Sequence, residues 1–306
     1  MVYEEMSSIY PFTRKEQQLV RKELGLKDST INDDIDAVME WFQKQPHLIE
    51  AGIGKDYYFV ERMLIIAKGS IERTKNRIDN WYKLRLLAPE IIQGREKVLS
   101  ESQDLWSSYL QVVMPKLYNG NRITIIRFID PNPSNFSIEA FIRNTFMLGD
   151  IRLRTDYFLG DIWIFDMKNF SFSHLLRMNP SLCQKAANMF HQGLGIRVQA
   201  IHIMNATNFL NQGLNFLRPF LSQKIMDRVL VHDTLDELHK FLPKKYLPKD
   251  YGGEQKATEE FKELRSTKTK HLLLNSSKMV SNEKLRPGID INEEYLSGSF
   301  KKLDFD

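Results

Sequence analysis

The chain has 306 residues, 42% of them hydrophobic and 27% charged, with a net charge of +4. This is an ordinary globular mixture, apolar enough to exclude disorder as the default, and its mild basicity permits an anionic surface as partner without demanding one. A lone cysteine, Cys183, excludes a disulfide framework or a cysteine-based zinc site within the chain and makes the cytosol the natural compartment. The first residues lack the apolar run of a secretory signal, and no stretch reaches the roughly 18 apolar residues of a membrane span.

The first hundred residues read as short helices. Thr30 is placed to cap one whose Asp33 and Asp34 meet the positive end of its dipole; Ile31, Ile35, Val38 and Phe42 come next at helical spacing, and Pro46 ends the run. A second helix spans about 56–67 and closes at Gly69. Ser70 then caps a third, with Ile71, Thr74, Ile78, Trp81 and Arg85 along one side and Pro89 as its stop. Each is too short to stand alone, so they must pack on one another or on the C-terminal part of the chain.

From about residue 120 the texture changes. Strands are predicted at 122–129, 161–166, 197–204 and 228–231, with helices at 137–158, 180–190, 205–218 and 234–241 between and after them. Such alternation argues for an α/β fold: a mainly parallel sheet covered by helices, preceded by a small all-helical lobe. The expected division is a helical lobe at 1–95, a sheet domain at 96–253 and a polar C-terminal surface tail at 254–306.

Seven pieces of the chain, in order, resemble one family. They are Gly160-Asp-Ile-Trp-Ile-Phe-Asp166, Phe172-Ser-His174, Pro180, Arg197-Val-Gln-Ala-Ile-His-Ile-Met-Asn205, Arg218-Pro-Phe-Leu221, Lys224-Ile-Met-Asp-Arg228 and Leu247-Pro-Lys-Asp-Tyr-Gly-Gly253. Together they resemble the CRAL-TRIO lipid-binding family, and Phe59 to Arg85 with Ala88-Pro-Glu-Ile91 looks like its N-terminal lobe. The ending Gly298-Ser-Phe-Lys-Lys-Leu303 is similar to the tails of insect members of the alpha-tocopherol transfer protein-like branch. The resemblance implies a helical lobe, an α/β domain with a sheet floor, and an apolar cavity closed by a mobile helix.

A lipid of about 20–30 carbons exposes apolar surface worth on the order of 15–25 kcal/mol in water, and a pocket of apolar and aromatic side chains removes that penalty. The resemblance implies a pocket lined by Trp163, Phe165, Ala186, Met189, Phe190 and Ile201, with Phe141 and Met147 added from helix 137–158. Any one of these, taken alone, is more simply a core residue. For the polar end of the lipid the candidates are Arg143, Asn144 and Thr145, of which one or two can face inward. Asn144 is the expected pocket residue and Arg143 the expected surface residue.

The gate is expected from Asn205 to about Phe220, with Phe209, Leu210, Leu214, Phe216, Leu217 and Phe220 as its apolar groups. That is more apolar surface than one buried stripe needs, and it fits a helix that covers ligand on one side and meets bilayer on the other. Arg197, Lys224 and Arg228 match positions of a basic, phosphoinositide-binding cluster in the family. The match is incomplete, since Gln199, Met226 and Ile65-Ile66-Ala67 stand where further cations would be. Three solvated cations are the plainer reading.

Gly193-Leu-Gly195 lacks the third glycine of a dinucleotide fingerprint, and no Walker A sequence or nucleophile elbow is present. His232-Asp233 reads as a turn and helix cap, His174 and His202 as structural, and Cys183 as a small buried residue; no histidine pair has metal-ligand spacing. The expectation is a non-enzymatic, monomeric carrier of a hydrophobic lipid of isoprenoid type, such as a tocopherol, retinoid or carotenoid. It would be cytoplasmic and peripheral at anionic membranes, with no cofactor, metal or nucleic acid. The competing expectation is a non-transporting interaction or phosphoinositide-sensing module.

Overall fold

Local chemistry starts most N-terminal helices where the sequence places them. In the computed structural model, which describes residues 9–50, 52, 56–96, 108–206, 208–261 and 267–287, helix α1 (Arg14–Glu23) opens on a reciprocal capping box between Thr13 and Glu16. This helix is not among those expected from the sequence. Helix α2 (Ile31–Gln43) buries Ile31, Ile35, Val38 and Phe42, but Thr30 makes no side-chain cap, leaving Asp33 and Asp34 to meet the dipole. Asp56 caps α3 (Tyr57–Ile66), and Ser70 caps α4 (Ile71–Leu87).

An unforeseen strand, β1 (Tyr109–Val113), pairs antiparallel with β2 (Asn121–Phe128). Strands β3 (Gly160–Asp166), β4 (Val198–Met204) and β5 (Val229–His232) continue in parallel, so strand order equals chain order. Helix α5 (Ile138–Thr155) joins β2 to β3. Helix α6 (Pro180–Asn188), continuing into a wide turn at Met189–Leu194, joins β3 to β4. Helix α7 (Leu210–Leu217) and the single-turn α8 (Gln223–Met226) join β4 to β5. Right-handed crossovers that always step in one direction place their helices on one face of a sheet. The other face is closed by α9 (Leu235–Phe241) and the segment after it: Leu238, Leu242, Leu247 and Tyr251 seal Ile123, Ile125, Ile162 and Ile164.

The helical segment docks on the sheet domain through one continuous core. Ile35, Phe42, Phe59, Ile78 and Trp81 pack with Ile142, Phe146, Met189 and Leu194. The two glycines of Gly193-Leu-Gly195 serve this junction. A Cβ on Gly193 would come within 2.9 Å of the Trp81 ring and 3.1 Å of its Cα. Gly195 ends the wide turn in a left-handed conformation, φ 63°. The expected surface tail is corrected in part: in α10 (Thr267–Ser277) Leu273 and Ser276 are buried, and Arg85 donates to the carbonyls of Ser276 and Met279. Residues 298–303, which carried the tail resemblance, lie outside the described residues.

Charges are buried along the second half of α5. Asp150 accepts from Arg85 at 2.9 Å and from Arg95 at 2.5 Å, and Arg152 binds Asp156 and Asp161 while Asp156 also holds Arg122. Burial alone would raise the Asp150 carboxyl, but the guanidiniums of Arg85 and Arg95 hold it well below the usual carboxylate range. On the sealed face, His202 Nδ1 and His232 Nε2 lie 2.8 Å apart beside the Phe241 ring. His232 is therefore a buried strand residue, and Thr234 caps α9 instead. Burial and then the charge of His232 push His202 down to about 4; burial lowers His232 too.

These buried groups generate two predictions. Asp150→Asn leaves two guanidiniums without a countercharge and should cost about 3–5 kcal/mol in urea unfolding; a loss under about 1 kcal/mol would mean that the cluster is not sealed. The unfolded chain takes up protons on its histidines below about pH 6.5, whereas folded His202 does so only near pH 4. Stability should therefore fall as pH drops from 6.5 toward 4, and His202→Asn should flatten that fall in thermal melts taken across the window.

Candidate functional site

Strand register assigns side chains to the face under α5, α6 and α7. Directly paired residues form rows across the sheet: Val113, Thr124, Trp163, Ile201 and Val229 in one, Gln111, Ile126, Phe165, Ile203 and Val231 in the next, Tyr109 and Phe128 in a third. An irregularity between Asp161 and Ile162 lets Val198 share this face with Ile201 despite the odd spacing. Residues on a central strand are normally the best covered in a sheet. Ile162 and Ile164 obey that on the sealed face, at 6% and 0% exposed. Trp163 and Phe165, on the same strand, both keep accessible surface on the helix-covered face. The Trp163 ring stands 6.2 Å from that of Phe165 and 5.4 Å from that of Phe190.

The expected pocket residues divide into two groups. Trp163, Phe165, Phe190 and Ile201 come together on this floor. Phe141 joins them from α5, against Tyr109 and Phe128. Ala186 is half-buried and packs toward the helical lobe. Three others offer no accessible surface: Met147 is sealed against Tyr10, Val113 and Leu273, Met189 lies in the lobe junction, and Asn144 is fully buried with its amide donating to the Tyr109 hydroxyl. Thr145, one turn beyond Phe141, is half-buried and keeps accessible surface. Arg143, expected on the surface, is half-buried, with Nη2 donating to the Glu90 carbonyl at 2.8 Å.

The gate candidates lie across this floor. The helix starts at Leu210 and not at Asn205, which holds a left-handed φ of 53° and donates its amide to Asp166 at 2.7 Å. Phe209 and Phe216 pack toward Phe128, Phe170 and Phe136; Leu210 and Leu214 pack toward Ile201, Ile203 and Trp163. Phe220 meets Phe216 edge to face, and Leu217 is half-buried. No residue of α7 is fully buried. A helix whose leucines and phenylalanines all stay partly accessible is loosely seated.

The three expected cations acquire company. Lys68, just past the end of α3, has its ammonium pushed below its ordinary value first by Arg197, then by partial burial, Lys224, Arg73 and Arg228. Lys68 thus feels the charge of four other cations, Arg73 from α4, Arg197 before β4, and Lys224 and Arg228 from the chain that follows α7. The sequence signal for Lys68 is faint, because it comes directly after the apolar Ile65-Ile66-Ala67, where the family pattern has its cations. Arg228 also donates to the Val198 carbonyl, which fixes it to β4. Among the described residues no cluster of three or more metal-ligating side chains occurs, and no helix is long and apolar enough to cross a membrane.

Residues 108–253 match the CRAL/TRIO domain family. Over 237 residues the chain is 26% identical to a Homo sapiens protein named alpha-tocopherol transfer protein-like, covering 76% of this chain and 68% of that one. It is 28% identical over 95 residues to Clavesin-1 of Rattus norvegicus, covering 31% and 27%. The crystal structure of Sfh5 is similar at 12% identity with a TM-score of 0.43, over 86% of this chain and 97% of that one.

The cations around Lys68 make their own prediction. Replacing Arg197 by Gln should raise the Lys68 ammonium pKa in an NMR titration of the lysine side chains, because the largest repulsive charge is gone. An unmoved Lys68 would mean that the two side chains do not feel each other's charge.

Proposed function

We propose, since the chain belongs to the CRAL/TRIO family through residues 108–253, that it carries one small hydrophobic lipid between the floor of its sheet and α7. The observation that carries this reading is the difference between the two faces of β3: Ile162 and Ile164 are sealed, while Trp163 and Phe165 are accessible on a strand flanked by two others. Accessible aromatic surface beneath a covering helix is an incomplete core, and an apolar guest completes it. Burying such a guest removes about 0.8 kcal/mol per methylene of exposure to water. An isoprenoid ring-and-tail molecule is the preferred guest, in keeping with a relative whose name speaks of tocopherol transfer.

Release occurs at a membrane. Helix α7 and its flanks present Phe209, Leu210, Leu214, Phe216, Leu217 and Phe220, none of them fully buried, so exchanging the floor for a bilayer surface loses little packing. A membrane then favours the open arrangement by its differential affinity for it. Lys68, Arg73, Arg197, Lys224 and Arg228 flank the gate's far end. At about 1 kcal/mol per cation near an anionic leaflet, they favour phosphoinositide-bearing or otherwise acidic membranes. The protein acts as a monomer, peripherally and from the cytoplasmic side, and catalyses no reaction.

The test is extraction of the purified full chain with organic solvent, followed by mass spectrometry and a vesicle-to-vesicle transfer assay. A stoichiometric apolar compound and accelerated transfer to anionic acceptors are expected, with Trp163→Ala weakening retention about tenfold, or ~1.4 kcal/mol. An empty protein that moves no lipid between vesicles would overturn the carrier in favour of an interaction module.

A further inference from the structure

Resting on that reading, we infer that the polar end of the guest is uncharged, a hydroxyl or carbonyl held by Gln111 of β1 and Thr145 of α5, and that lipids ending in a carboxylate or phosphate are refused. The floor rows carry few polar groups, and most are committed. The Trp163 indole donates to Asp161 at 3.2 Å, and the Tyr109 hydroxyl donates to the Ala140 carbonyl at 3.1 Å. The hydroxyl of Thr124 and the amide of Asn144 are sealed from any guest. Gln111 and Thr145 differ. Both are half-buried, and the Thr145 hydroxyl lies 2.9 Å from the Phe141 carbonyl and 3.2 Å from Gln111 Oε1. The Gln111 amide nitrogen makes no bond within the described residues and is not sealed, so it is a donor waiting for an oxygen.

Among the described residues no charged side chain is hydrogen-bonded to Gln111 or Thr145. Of the arginines on α5, Arg143 donates to the Glu90 carbonyl, Arg152 forms ion pairs with Asp156 and Asp161, and Arg154 pairs with Asp56. Lys185 on α6 is paired with Glu90. Asp161, which shares the floor side with Trp163, is held by Arg152 through both of its oxygens. Arg143 has no carboxylate partner, but its guanidinium is turned to the Glu90 carbonyl, so an anionic head entering between Gln111 and Thr145 finds no cation hydrogen-bonded to either and would lose its hydration largely uncompensated. A hydroxyl or carbonyl needs only one or two neutral partners, which the Gln111 amide and Thr145 hydroxyl supply.

The experiment loads delipidated full-length protein from neutral vesicles containing equimolar pairs: a C20 isoprenoid alcohol with its carboxylic acid, and a C18 straight-chain alcohol with its acid. The retained lipids are then quantified by mass spectrometry. The alcohol of at least one pair should exceed its acid by tenfold or more. Gln111→Leu should cut alcohol retention about tenfold at unchanged melting temperature, and Gln111→Arg should turn the preference toward the acid. Retention of acid and alcohol alike, or a ratio indifferent to both Gln111 variants, overturns the assignment while leaving the carrier intact. Retention of neither member of either pair, together with accelerated transfer of phospholipid, also overturns it. No retention and no transfer of any lipid removes the carrier as well.

Discussion

Helix α5 has to bury charge along its second half, and the rest of the molecule is arranged around that requirement. Asp150, Arg152, Arg154 and the capping Asp156 are all buried. A buried charge is tolerable only where partners meet it at close range. Those partners come from everywhere else: Arg85 from α4, Arg122 from β2, Asp161 from β3, Asp56 from the cap of α3, and Ser276 from α10. None of these elements can slide relative to α5 without stranding one of these groups. The lobe, the sheet and the returning C-terminal helix are thus held to one another by charge geometry as well as by the apolar core between them.

The other half of α5 has no such obligations. Ile138, Phe141 and Thr145 face the floor or the lobe with surface to spare. One helix therefore combines an immobile end that fixes the scaffold with an apolar, adaptable end above the sheet. That division suits a binding site, because preorganised walls lower the entropy lost on capture while soft aromatic contacts admit guests of different outline.

How much of this could be read from the sequence depended on the kind of signal. Helices with regular apolar spacing, such as α2 and α4, and strands punctuated by Asn-Gly or Asp-Pro, were legible because local propensity and burial agreed. Strand β1 was not, since Tyr-Leu-Gln-Val-Val looks ordinary until β2 pairs with it. Trp163, Phe165 and Phe190 were placed through family resemblance; their alternation alone says only that one face is buried. Sequence spacing cannot tell which of the adjacent Asn144 and Thr145 meets Tyr109 and which keeps accessible surface. Lys68 and Arg73 were hidden for a similar reason: their nearness to Arg197 is a product of how the lobe docks. The ion pairs of α5 were invisible, since each joins residues far apart in the chain.

The loose seating of α7 is a consequence of the same architecture. With strands in chain order, all crossovers fall on one face, and α7 must cover what α5 and α6 leave open. Its two ends are tied down. Asn205 is fixed by its amide to Asp166, whose other oxygen accepts from the Tyr251 hydroxyl, and downstream Ile225 is buried while Arg228 reaches the Val198 carbonyl. Between these anchors lies a helix with no fully buried residue. Segments with few sealed contacts are the ones that open at low free energy in an otherwise stable fold. Lys224 and Arg228 lie by the downstream anchor, so a negative surface that engages them is brought near the end of a helix with no fully buried residue. In a carrier, attraction to the membrane and release of the guest would then be coupled by adjacency, with no signal having to cross the rigid half of the protein.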